Sequence, residues 1–256
     1  MFCVIEWVYY RRKRRPRRPV QTKRSIKMIG IIGAMHIEVE TIKSLMENKI
    51  SETISGVEYV KGTLHGKEIV IAACGIGKVA AAMCTQTMIL KYSPECIINT
   101  GVGGSLSTKL AIGDIAVAES LVQHDMDTSP LGDPIGLISG INIVNIPADK
   151  KVVETLLEGV ETLENIKGVK GVIASGDQFI ASEEKKKFIT GNFGAIVCEM
   201  EGASIAQVCF TNGVPFGVVR AVSDCADGSS HMDYGEFLPI AAANAAKLIE
   251  HFVKNS

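Results

Sequence analysis

Ile196-Val197-Cys198-Glu199-Met200-Glu201-Gly202-Ala203 and, about a strand later, Val218-Val219-Arg220-Ala221-Val222-Ser223-Asp224 decide how this chain is read. The first stretch is a short apolar strand running into a helix. It sets two carboxylates, Glu199 and Glu201, at the switch. Charge is out of place between apolar flanks, and the ends of strands in open α/β sheets are where ligands bind. Acids in a first helical turn also complement the helix dipole. At Glu199 both readings stay open. At Glu201 the functional reading is preferred, because Asp224 ends the next strand and should face the same crevice.

Working outward, apolar runs alternate with helical patterns along the whole chain, which predicts an α/β domain. Lys27 to Gly33 reads as a buried strand, followed by a helix to about Asn48 with Glu38 in its first turn. Val57–Gly66 and Glu68–Ala73 read as two strands joined by a tight His65-Gly66 turn. Cys74-Gly75-Ile76-Gly77-Lys78 leads into a helix over Val79–Lys91. It lacks the glycine spacing and the hydroxyl residue of a phosphate loop. Glu95–Thr100 is a further strand, and Gly101-Val102-Gly103-Gly104-Ser105 is expected to be a loop that lets a ligand approach backbone N–H groups.

Strands are predicted over Ile112–Gln123 and Val169–Ser175, and an amphipathic helix over Ala148–Leu163. Between them His124–Pro134 is a long polar loop of the lid or interface kind. Gly176-Asp177-Gln178-Phe179-Ile180 offers an aromatic and an aliphatic residue at a strand end. These are equally a pocket floor for a flat base and ordinary core. Ser182 caps a charged, solvated helix, and Gly235–Lys254 closes the chain as a helix.

The composition sets bounds. A net charge of −1 gives no general pull toward nucleic acid or membrane, and no apolar run reaches the ~18 residues that span a bilayer. Seven cysteines, an odd number without C-x-x-C spacing and mostly inside apolar runs, point to buried free thiols in a reducing cytoplasm. Residues 1–27 differ from the rest: an apolar stretch precedes a proline-broken block of arginines and lysine, the reverse of a signal peptide. They read as a disordered basic extension, or as sequence translated from upstream of Met28. A nucleic-acid-binding arm is the alternative.

Six stretches taken together resemble the 5′-methylthioadenosine/S-adenosylhomocysteine nucleosidases, within the nucleoside phosphorylase superfamily. They are Gly30–Met35 with Glu38, Gly75–Ala80, Ile98–Gly101, Ser175–Ile180, Glu199–Glu201 and Arg220–Asp224. The resemblance runs from Met28 to the C-terminus. It implies one α/β domain, residues 28–256, with a central mixed, twisted, barrel-like sheet flanked by helices, in a homodimer without metal or cofactor. It implies that Asp224 protonates adenine N7 and that Glu38 is the base on water. The binding set it implies is Glu201 on the ribose hydroxyls beside Met200, with Glu199, Phe179, Ile180, Met35, Arg220, Tyr234 and Gly104. The His124–Pro134 segment is similar to one that reaches the partner's pocket near the 5′-thio group. The chain departs from the family pattern at Val102, where many members have serine, at Gly103-Gly104-Ser105, and at His36 and Ile37.

The chemistry agrees. Cleaving a ribose–adenine bond makes the sugar cationic and the base anionic. One carboxyl must carry a proton to the base, a second must stay ionised at the sugar, and a third must accept a proton from water. Phosphorolysis is the nearest alternative, but a carboxylate at Glu38 repels phosphate. Futalosine-type nucleosides remain alternative substrates, and a non-catalytic nucleoside sensor would not need Glu38 and Asp224 together.

Overall fold

The computed structural model describes the backbone of residues 28–226 and 230–256, and the side chains of 28–226 and 235–256. The basic extension, residues 1–27, lies outside the described residues. The chain opens with β1 (Met28–Gly33), buried throughout, as its unbroken apolar run requires. Helix α1 (His36–Leu45) is shorter than expected and gives way to β2 (Glu47–Ile54), a strand that the sequence reading missed. β2 is an exposed edge strand, so it carries no apolar alternation to announce it.

Two hairpins follow from one turn chemistry. Ser55-Gly56 joins β2 to β3 (Val57–Leu64), and His65-Gly66 joins β3 to β4 (Lys67–Ala73). All four turn residues have positive φ, between 50° and 81°, as a tight two-residue connection demands. Next come α2 (Lys78–Tyr92), β5 (Cys96–Asn99), β6 (Val102–Ser105) and β7 (Ile115–Gln123). The expected glycine loop is therefore a strand, β6, buried along its length. Its glycines serve strand packing: a Cβ on Gly103 would stand 2.7 Å from Val197 Cγ1.

After a 3-10 turn at Ser129–Leu131 come β8 (Ile146–Pro147), α3 (Lys150–Glu161), β9 (Gly168–Ser175) and α4 (Glu183–Phe193). Ser182 caps α4 by accepting from Lys185 N. The chain ends with β10 (Ala195–Glu199), α5 (Gly202–Asn212), β11 (Phe216–Asp224) and α6 (Ser230–Asn255).

The strands form one mixed sheet in the order β2-β3-β4-β1-β5-β11-β6-β10-β9-β7-β8, and β11 pairs with β7 as well. That extra pairing closes β11, β6, β10, β9 and β7 into a ring, with β8 paired to β7 on its edge and β2, β3, β4, β1 and β5 as an open wing. This is the barrel-like α/β sheet expected. β11 joins the two parts: Phe216–Val218 pair with β5 in the wing, Val219–Ala221 with β7, and Ala221–Asp224 with β6. All nine of its residues are buried.

Candidate active site

The carboxyl ends of β1, β9, β10 and β11 converge on one cleft of about 550 Å³, its open mouth included. Its walls include Met35, Glu38, Gly104, Phe179, Ile180, Glu199, Met200, Glu201 and Asp224. Sequence reasoning had named all of these. Ala34, Ile76, Gln178, Cys198 and Ser223 also line it and had not been assigned to it. Cys198 and Ser223 were legible in principle, as neighbours of Glu199 and Asp224 at strand ends.

Glu38 is 3% exposed. Its Oε2 accepts from the N–H groups of Ala34 (2.7 Å) and Met35 (2.8 Å), and its Oε1 from Val102 N–H (3.1 Å). The same carboxylate thus closes the first turn of α1 and faces the cleft. Burial raises its pKa, against the pull of the Met35 N–H, the Arg220 charge and the other two N–H groups. Gly101 makes room for it, since a Cβ there would meet Glu38 Oε1 at 2.7 Å.

Asp224 is 2% exposed. Ser223 Oγ donates to its Oδ1 at 2.8 Å, and Ala226 N–H to its Oδ2 at 3.0 Å. Gly104, its register partner on β6, leaves space for the carboxyl: a Cβ would lie 3.0 Å from Asp224 Oδ2. The substrate-approach role expected of this glycine thus shares the position with a packing one.

Glu201 stands at the N-cap position of α5, but its side chain turns away from the helix, and its Oε1 accepts from Gly77 N–H at 2.7 Å. Burial, and then the neighbouring Glu199 charge, push its pKa up to about 7, with Arg220 pulling the other way. The sequence expectation is an ionised Glu201, and the burial and the Glu199 charge both work against that ionisation.

Glu199 is held differently. It bonds Arg220 Nη2 and Ser175 Oγ, and its Oε2 also accepts from the N–H groups of Glu201 (3.1 Å) and Gly202 (2.7 Å). Of the two readings left open, this geometry fits the helix-start one. Arg220, expected in the binding set, does not line the cleft and is 1% exposed, with Nη2 also donating to Asn99 Oδ1 at 2.6 Å. Burial works against its charge, but Glu199, Glu201 and Glu38 more than offset this and hold its pKa above the usual value. Asn99 and Ser175 complete this network. Neither had been singled out, because nothing marks a neutral polar residue in a buried strand as a partner of a charge.

Phe179 stands at the mouth, 44% exposed, beside buried Ile180. The side chain of Tyr234 lies outside the described residues. The six described cysteines are free. Burial raises the thiol of Cys198, and the Asp224 and Glu199 charges raise it further, which suits a packing group better than a nucleophile.

A part-closed mixed sheet that gathers carboxyl groups from separate strand ends into one nucleoside-sized cleft defines an α/β enzyme of acid–base chemistry on a small ligand. The comparisons narrow that class. The model of the phosphorylase superfamily matches residues 28–254. A 5′-methylthioadenosine/S-adenosylhomocysteine nucleosidase of Shewanella halifaxensis is 41% identical over 227 residues, 88% of this chain and 98% of that protein. The crystal structure of the nucleosidase of that name from Neisseria meningitidis, in complex with methylthio-immucillin-A, is similar with a TM-score of 0.88 at 35% identity, covering 90% of this chain and 100% of that one. A Helicobacter pylori structure described as futalosine hydrolase gives 0.86 at 38% identity, covering 90% and 99%. The chain belongs to the phosphorylase superfamily and, within it, to the 5′-methylthioadenosine/S-adenosylhomocysteine nucleosidases, a family of N-glycosyl hydrolases.

Proposed function

We propose that this protein hydrolyses the N-glycosidic bond of 5′-methylthioadenosine and S-adenosylhomocysteine, releasing adenine and the 5′-thioribose. One observation carries the reading. Glu38, Glu201 and Asp224, from distant parts of the chain, line a single cleft together with Phe179 and Ile180.

Phe179 packs on the base, and Ile180 meets it through its backbone. Asp224 gives a proton to N7 as the C1′–N9 electron pair passes to the base. Glu201 accepts from the ribose hydroxyls, beside Met200, and its negative charge stabilises the cationic sugar. Water adds to C1′ while Glu38 takes its proton, so the protein regains on Glu38 the proton spent at Asp224. Three N–H donors fix the Glu38 carboxylate before the reaction, so no reorganisation is needed when water is deprotonated. Arg220 and Glu199 hold the strand ends and set the local field. A wall of carboxylates disfavours phosphate as the nucleophile.

The homodimer belongs to this proposal. Leu131, 83% exposed at the tip of the 3-10 turn, is placed on the segment that would reach the partner's pocket. Light scattering tests it. A cytoplasmic location is proposed from the free thiols. No described helix is long and apolar enough to cross a membrane.

The deciding assay is release of the free purine base from 5′-methylthioadenosine, S-adenosylhomocysteine and futalosine, with and without phosphate. Free thioribose formed at a phosphate-independent rate is expected. Thioribose 1-phosphate would make the protein a phosphorylase. Release of the base from futalosine alone would favour the second reading, which rests on the likeness to the H. pylori structure.

A further inference from the structure

Three segments around the cleft are tied together from outside it. Lys78 Nζ and Asp125 Oδ1 pair at 2.6 Å, with side chains only 20% and 15% exposed. The other oxygen of Asp125 accepts from Asp177 N–H at 2.9 Å, and Asp177 Oδ1 accepts from Lys78 N–H at 2.7 Å. The three residues thus close a ring, and the cleft wall is made of others. Lys78 and Asp177 stand close in sequence to groups at the cleft. Lys78 follows Gly77, whose N–H holds Glu201, and its carbonyl accepts from Ser204 Oγ at 2.7 Å on α5. Asp177 precedes Phe179 and Ile180 by two and three positions.

Resting on the reading that Phe179 and Ile180 hold the base and Glu201 the ribose, we propose that Lys78 and Asp125 are positioning residues, whose ion pair sets the base loop and the ribose carboxylate in register before the nucleoside arrives. The physical reason is preorganisation. Residues 177–179 are exposed, and an untethered loop would have to be ordered at the expense of binding energy. A partly buried, charge-assisted pair removes that cost in advance. Burial opposes the charge of Asp125, but the Lys78 ammonium and the Asp177 N–H outweigh it and hold the carboxyl below its usual range.

The test measures adenine binding by calorimetry, together with kcat and KM for 5′-methylthioadenosine. The proteins are the wild type, Lys78→Met, Asp125→Ala, their double variant and Lys78→Arg. Adenine Kd and KM are expected to rise about tenfold in either single variant, about 1.4 kcal/mol, while kcat stays within about threefold. The double variant should be no worse than a single one, because both remove the same pair. Lys78→Arg should recover most of the loss. Asp125→Asn keeps the shape and removes the charge, and replaces Asp125→Ala should that protein not fold. Adenine affinity within about twofold of wild type in the folded variants overturns the proposal, as does a double variant whose losses multiply. A wild type that neither binds nor releases adenine overturns the nucleosidase reading and this proposal with it, whereas variants that bind adenine like an active wild type sink only the tether.

Discussion

Replacing Glu201 with glutamine should stabilise the fold while stopping the reaction. A carboxyl that burial and the Glu199 charge push up to about 7, against 4.5 in the unfolded chain, penalises the folded state once it ionises. The sign follows from the raised value. Below about pH 4.5 both states hold the proton and there is no penalty. Between 4.5 and about 7 the unfolded chain loses its proton first, so stability falls as pH rises. Above about 7 the penalty is constant, at about 3 kcal/mol. Glutamine has no such term, and its amide oxygen can still accept from Gly77 N–H. Glu201→Gln should therefore exceed wild type by about 1 kcal/mol at pH 5 and about 3 kcal/mol at pH 8. At roughly 2–4 °C per kcal/mol for a chain of this size, the gap in Tm widens from roughly 2–4 °C to roughly 6–12 °C. Thermal unfolding of ligand-free protein across that pH range measures it. A saturating nucleoside analogue should narrow the gap, because ribose hydroxyls favour the ionised acid in wild type. A gap that does not change with pH, or a glutamine variant less stable at pH 8, would refute the reasoning.

Asp224→Asn and Glu38→Gln should each lower kcat by ~10²–10⁴-fold in the adenine-release assay. Both should keep the native circular dichroism spectrum. Glu38→Gln should also lose about 1–3 kcal/mol in urea unfolding, because its amide must turn an N–H toward one of the three donors that now reach the carboxylate. Arg220→Met should cost about 3–5 kcal/mol in the same measurement, since it leaves Glu199 buried without its cation. Gly101→Ala pushes a methyl against Glu38 Oε1, and kcat should fall by about 10²-fold with a smaller change in KM.

The sequence was most legible where burial and chemistry coincide. β10 and β11 are mostly apolar runs ending in acids, and β1 is an apolar run with Glu38 in the helix that follows, and that contrast marks both the strand and the site. The two hairpin turns show the limit. His65-Gly66 was readable because apolar strands flank it. Ser55-Gly56 has the same geometry, but it follows a strand with nothing to bury. Gly103-Gly104 misled for the opposite reason. Glycine usually signals a loop, whereas here it lets β10 and β11 approach a strand between them. The Glu199–Arg220 pair was not legible, because it joins residues 21 positions apart inside the core and depends on the closure of the sheet. The raised pKa of Glu201 was not legible either, since it follows from how deep the group sits and from which charge lies beside it.

β11 also limits how the molecule can move. Its first residues are stitched into the wing and its last into the ring, and the switch between them takes place inside one buried nine-residue strand. A book-like opening of the two parts would have to tear that seam. Admission and release of a ligand are therefore left to the short segments at the rim, and the two halves of the sheet should travel as a single rigid frame through every turnover.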